Sequence, residues 1–158
     1  MDVLGVRVEL PSNQPIVLLK ESDGPRYLPI WIGASEATAI ATAMEGIEPP
    51  RPLTHDLLGL AVEALGARVD QVVITEVRDS VYYADLILGT AGGNVSISCR
   101  PSDSIALAVR TGANVQASRS LLDEAGVEFR EAADEEDEIA RFREFLEEAT
   151  VEDFLGES

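Results

Sequence analysis

This chain has little of several residue types: one cysteine, one histidine, one tryptophan and, at Lys20, one lysine among 158 residues. Each scarcity excludes something. A lone Cys99 closes no internal disulfide and builds no cysteine cluster for a metal, which fits a reducing compartment. The lone His55 leaves no His-x-x-x-His pair, and neither a Gly-rich phosphate loop nor a Gly-x-Ser-x-Gly turn is present. No apolar run approaches the roughly 20 residues of a membrane span, and Met1-Asp2-Val3 lacks the basic and then apolar start of a secretory signal. The expectation is a cytoplasmic protein with no membrane contact and no organic cofactor.

What is present in excess is acid. The formal net charge is −17, and residues 131–158 carry twelve acids against Arg141 and Arg143, a net −10 that leaves −7 for residues 1–130. Such a field repels phosphate backbones, so a nucleic-acid partner must be held by a local basic patch, by bound divalent cations, or by both. All basic residues but Lys20 are arginine. Genomic composition is the plain reading of that bias, and planar guanidinium groups that grip phosphate are the sharper one. With 46% apolar residues, a chain of this length can bury one core without disulfides or structural metal.

The organisation along the chain looks like a duplication. At a constant offset of 67, Leu28 to Ile40 and Val95 to Leu107 each run from a strand into Ser-acid and an alanine-rich helix. Ile30 falls on Ile97, Ser35 on Ser102 and Glu36 on Asp103. Internal repeats of this kind fix an architecture before finer assignments do. The expected fold is α+β: a duplicated β-β-β-α-α unit, about residues 1–66 and 67–130, with a mostly antiparallel sheet and flanking helices.

In copy one, strands run from Val3 to the turn Pro11-Ser12-Asn13-Gln14-Pro15, from Ile16 to Lys20 and from Tyr27 to Ile32. Ser35 supplies an N-cap oxygen for a helix that Gly46 stops, and Thr54 caps the next, whose Leu57, Leu58, Ala61, Val62 and Leu65 follow helical spacing up to Gly66. In copy two, strands cover Val69–Val77, Val81–Leu88 and Asn94–Cys99, and a helix covers Ser102–Arg110 before Gly112. Val115–Ala117 adds a short strand and Ser118–Ala125 a short helix. Alternation along Asn94–Cys99 puts Val95, Ile97 and Cys99 on the buried face, where Cys99 serves packing. Residues 131–158 form an acidic linker and a C-terminal amphipathic helix, with Ile139, Phe142, Leu146 and Ala149 on one stripe. That stripe and the edges of the sheet predict a homo-oligomer.

Three polar clusters fall at loop-to-helix junctions: Ser35-Glu36, Arg51-Pro52-Leu53-Thr54-His55-Asp56 and Arg100-Pro101-Ser102-Asp103. Helix N-termini offer unpaired N–H groups to anions, and Arg51 and Arg100 add charge for phosphate. Glu36, Asp56 and Asp103 are hard oxygen ligands of the type that Mg²⁺ or Mn²⁺ takes. His55 has an ordinary pKa suited to moving protons near neutral pH. Each acid also sits in a first turn, where the helix dipole alone favours it, so a capping role stands beside the chemical one.

Several of these stretches resemble one family. Leu28-Pro29-Ile30-Trp31-Ile32-Gly33 with Glu36-Ala37, Pro50-Arg51-Pro52-Leu53-Thr54-His55-Asp56-Leu57, Tyr83-Ala84-Asp85-Leu86, and Arg100-Pro101-Ser102-Asp103-Ser104-Ile105-Ala106-Leu107-Ala108 are similar to the bifunctional nuclease domain family over about residues 1–130. The resemblance implies cleavage of RNA and DNA on a duplicated β3-α2 fold. It departs at Ser98, where many relatives carry Asp.

Two functions of different class follow as expectations. The first is a metal-assisted nuclease with His55, Asp56 and Asp103 as catalytic residues, Arg51 and Arg100 on phosphate, and Glu36, Asp56 and Asp103 holding Mg²⁺ or Mn²⁺. The alternative is a non-catalytic oligomeric adaptor or regulatory protein that binds other proteins.

Overall fold

A computed structural model describes residues 1–128. The acidic linker and C-terminal helix expected from the sequence lie outside the described residues. The order is β1 (Asp2–Val8), β2 (Pro15–Lys20), β3 (Arg26–Trp31), α1 (Ala34–Met44), α2 (Thr54–Ala64), β4 (Arg68–Arg78), β5 (Val81–Thr90), β6 (Gly93–Cys99), α3 (Pro101–Thr111), β7 (Asn114–Ala117), α4 (Arg119–Ala125) and β8 (Val127–Glu128).

The class is α+β, but the strands divide into two four-stranded sheets rather than one. The first has the order β1-β2-β3-β8 and the second β6-β5-β4-β7. All neighbours are antiparallel except β4 and β7. Each half opens with a three-strand meander followed by a helix. They then diverge, because α2 follows α1 directly, whereas β7 separates α3 from α4 and pairs with the first strand of its meander.

The core draws on both sheets, with α1 against the first and α3 against the second. Val17, Leu19, Leu28 and Ile30 from the first sheet and Val72, Ile74, Ala84 and Leu86 from the second join Ile40 of α1 and Ile105 and Leu107 of α3. In α3, Pro101, Ser102 and every residue from Ser104 to Ala108 are buried. A helix covered on nearly all sides cannot rotate without opening the core, so its first residues are firmly aimed. Gly112 closes it at φ 73°, a left-handed cap open to glycine at no steric cost.

α2 differs from its expected packing. Of its residues only Val62 is buried, while Leu57, Leu60 and Leu65 are exposed by 61%, 49% and 86%. The reason is a narrow footprint. Gly59 faces α3, where an added Cβ would stand in ordinary contact, 3.5 Å from Leu107 Cδ1, and Val62 is the one side chain of the helix that is buried.

β6 also departs from its alternation. It is an edge strand, and Val95 and Ile97 are about half exposed. Only Cys99, at its end, reaches the core, where its Sγ donates to Ala84 O at 3.6 Å and burial pushes the thiol pKa up. Among the described residues no helix is long and apolar enough to cross a membrane.

Candidate active site at three helix beginnings

β3 leads into α1 and β6 leads into α3, so both helices present their first turns at the same end of the helical layer. α2 arrives from the proline-rich loop 45–53 and adds a third first turn. The starts differ from simple side-chain caps. α1 begins at Ala34 with Gly33 as N-cap, so Ser35 is an exposed first-turn residue and caps nothing. Glu36 folds back over Gly33, into space that a side chain there would fill. α2 begins at Thr54 with Leu53 as N-cap; Leu53 has no side-chain acceptor, and Asp56 Oδ2 instead accepts the Leu53 N–H at 2.8 Å. Arg100 is the N-cap of α3, and Pro101, which lacks an N–H, opens the first turn where none is needed.

Four side chains form one connected cluster across these starts. Arg100 Nε donates to Asp103 Oδ2 at 2.8 Å, and Arg100 Nη2 donates to Glu36 Oε1 at 3.1 Å. His55 Nε2 lies 3.1 Å from Asp103 Oδ1. Glu36 and Asp103, equivalent under the offset of 67, are thus bridged by one guanidinium.

Burial raises the Asp103 carboxyl, but the hydrogen bonds from Arg100 and His55 outweigh it and hold Asp103 below the ordinary carboxylate range. An ionised carboxylate only accepts, so Nε2 of His55 carries the proton in that bond, an assignment made from the partner. In the neutral ring Nδ1 is then the atom with a free lone pair. The side chain of His55 is 13% exposed and that of Glu36 18%, whereas that of Arg100 is 66% exposed. The cation of the cluster therefore sits on the solvent side and its imidazole inside.

Asp56 is drawn elsewhere. Its Oδ1 accepts Arg110 Nε at 2.6 Å, and the Leu53 N–H first and Arg110 second hold its pKa below the usual range. Arg110 also donates through Nη1 to Ala39 O and Ala106 O, at 2.9 and 2.8 Å. Asp103 and Arg110 are seven residues apart on α3, a rise of about 10 Å at 1.5 Å per residue. His55 and Asp56, adjacent in sequence, thus reach opposite ends of α3. Arg51 is exposed on the loop before α2 and has no ionic partner among the described residues. Ser98 is exposed on β6 and pairs across the ladder with Asp85, so a carboxylate remains beside that position.

Arg110 is the residue that reading the sequence missed. A basic residue in the last turn of a helix is ordinary dipole compensation, and nothing local marks its partner 54 positions upstream.

Among the described residues no three acidic, histidine or cysteine side chains are grouped to hold a metal ion. Glu36 and Asp103 are the two carboxylates that one guanidinium brings together there. Arg100 occupies the space between them.

The chain is similar to several known proteins. An uncharacterized protein of Mycobacterium tuberculosis is 46% identical over 159 residues, covering 96% of this chain and 95% of that protein. Bifunctional nuclease 1 of Arabidopsis thaliana is 31% identical over 114 residues, and bifunctional nuclease 1 of Oryza sativa subsp. japonica is 30% identical over 122. Those matches cover 70% and 75% of this chain but only 35% and 37% of the plant proteins. The family profile of the bifunctional nuclease domain matches residues 17–130, which include all three helix beginnings and both arginine networks, and the chain belongs to that family.

Proposed function

We propose that the protein is a nuclease that hydrolyses phosphodiester bonds of RNA and DNA at the Glu36, His55, Arg100 and Asp103 cluster. The observation that carries this reading is the double engagement of Arg100, a solvent-facing guanidinium held by two carboxylates from different halves of the chain. A phosphodiester offers the same fork geometry as a carboxylate. When it takes Arg100, it neutralises the cation and releases Glu36 and Asp103. In this reading Arg51, exposed on the loop before α2, holds a neighbouring phosphate. His55 Nδ1 accepts the proton of an attacking water, while Asp103 orients the ring through Nε2 and stabilises the imidazolium. Water as nucleophile serves both substrates, because DNA has no 2′-hydroxyl. As pentacovalent phosphorus forms, charge grows on the oxygens that Arg100 grips, and that differential grip lowers the barrier; the P–O bond to the departing nucleotide then breaks, and its oxygen takes up a proton from water while the His55 imidazolium returns its own to solvent.

Mg²⁺ or Mn²⁺ arriving with the substrate would be held by Glu36 and Asp103 and would neutralise phosphate charge and acidify water. Asp56 is committed to its cap and to Arg110 and serves the site by fixing the start of α2, and so His55. The equivalence of Glu36 and Asp103 also supports descent of the two halves from one duplicated unit.

The test is cleavage of single-stranded RNA and DNA with Mg²⁺, with Mn²⁺ and with chelator, in parallel for Arg100→Ala and Asp103→Ala. Cleavage should fall at least a hundredfold in both variants; equal product from wild type and variants marks a contaminant and overturns the reading.

The exposed leucines of α2 favour a second reading, a non-catalytic oligomeric adaptor whose α2 faces meet in a dimer of this chain. Sedimentation tests it: a species of twice 17.0 kDa that dissociates in Leu57→Glu supports it, and a monomer at micromolar concentration ends it.

A further inference from the structure

Beyond the cluster, α1, α2 and the 45–53 loop frame an open, solvent-facing cavity of about 470 Å³ whose lining includes Thr42, Ile47, Pro49, Pro52, Asp56 and Arg110. Its size is that of a small-ligand site. Its chemistry is divided: proline and isoleucine offer flat apolar walls, while Asp56 and Arg110 form a polar edge. Glu48 also lines it, so two acids face one arginine, and an anion gains nothing by entering. A neutral, planar group with donors and acceptors on one edge is the matching ligand.

We infer that this cavity receives a nucleobase of the bound strand and prefers bases that carry an exocyclic amine (guanine, adenine, cytosine) over uracil or thymine. The inference rests on the nuclease reading for its ligand class. Asp56 uses one lone pair on each oxygen for Arg110 and for the Leu53 N–H, which leaves acceptor capacity on both oxygens. That capacity suits an amine. Arg110 Nε and Nη1 are engaged, and its Nη2 donates to no acceptor among the described residues. That nitrogen suits the ring nitrogen or carbonyl beside the amine.

In the register that sets an amine against Asp56 and the adjoining ring acceptor against Arg110 Nη2, uracil and thymine reverse both contacts: a carbonyl oxygen meets the carboxylate and the N3–H meets the guanidinium. Single strands are commonly read this way, with a splayed base seated in a pocket and recognised by its edge. The spacing agrees as well. The cavity lies toward the Arg110 end of α3 and the cluster at the Asp103 end, about 10 Å along the helix, a span of the order that one nucleotide covers from phosphate to base edge.

The deciding measurement is mononucleotide binding, which needs no catalysis. Titrations of GMP, AMP, CMP and UMP followed by backbone amide shifts should perturb residues 42–49 and 52–56, with UMP at least fivefold weaker than the other three. Ala43→Leu, which fills the cavity, should abolish the perturbation there, and Ile47→Ala, an exposed wall residue whose loss leaves the fold intact, should weaken all ligands several-fold. Asp56→Asn places an N–H where an acceptor stood and should erase the discrimination against UMP. Equal affinity for all four nucleotides, or shifts confined to Arg100 and His55, overturns the inference. Cut-site mapping on a mixed-sequence strand separates the two ideas: unbiased cleavage with indiscriminate binding leaves the nuclease standing and removes the base pocket, whereas selective binding without cleavage does the reverse.

Discussion

Arg100 and Arg110 sit on one helix, each bonded to an acid from elsewhere in the chain, and they are built for different ends. Arg100 is at the N-cap of α3 with its side chain 66% exposed, and both its acids come from helix beginnings. Arg110 is in the last turn with its side chain 11% exposed, and it also binds two backbone carbonyls. An exposed pair is worth little to stability and can change partners. A largely covered pair tied also to backbone carbonyls costs more to break, because the remaining charge loses its partner where water reaches it poorly. The difference teaches that the same contact, acid to arginine, marks a labile site at one end of α3 and a fastener at the other.

The largest expected effect is on chemistry at the labile end. His55→Ala should lower the cleavage rate by about 10² to 10⁴-fold, the usual contribution of a positioned proton-transfer group, and Arg100→Ala by about 10² to 10³-fold, as for loss of a preorganised donor. The comparison breaks if Arg100→Ala lowers the midpoint of thermal unfolding as much as Arg110→Ala does. A middle-sized effect is expected at the fastened end. Arg110→Ala should destabilise by roughly 2 kcal/mol, since it removes a charge-assisted bond to Asp56 and the bonds to two backbone carbonyls, and urea unfolding checks it. If that loss comes with normal cleavage at low temperature, the division of labour is sharpened.

The smallest effect is a pH dependence. Asp56 and Asp103 are both held below the ordinary carboxylate value of about 3.9. A depressed folded pKa contributes stability above the unfolded value and loses it as pH falls through the folded one. Stability owed to these groups should therefore be flat from neutrality to about pH 5 and decline below about pH 4. In Arg100→Ala the Asp103 share should be smaller and vanish at higher pH. Acid titrations of unfolding midpoints in the two arginine variants would separate the shares.

Much of the secondary structure was legible from local rules. The turns at Pro11–Pro15, the glycine stops of α1, α2 and α3 and the short β7 and α4 all follow from residue types with strong backbone preferences. The positions of Glu36, Asp56 and Asp103 in first turns were legible for the same reason. Misreadings arose where burial depends on what lies opposite. Leu57, Leu58 and Leu65 belong to a helical apolar pattern that nothing among the described residues covers, and the alternation of Val95 and Ile97 falls on an edge strand. Ser35 looks like a cap, yet the helix starts two residues earlier, with Gly33 as its N-cap and Glu36 folded back over that glycine.

The sequence by itself determined which segments are strands and helices, where their acids stand and that arginine is nearly the whole cationic inventory, because these depend on neighbours within a few residues. Tertiary structure alone decided which acid meets which arginine. Glu36 and Arg100 are 64 positions apart and Asp56 and Arg110 are 54 apart, and those meetings are fixed by how α1 and α2 pack on the buried α3. The physical reason is range: backbone propensity acts over one turn, whereas charge pairing across helices waits on burial of apolar surface to bring the partners within reach.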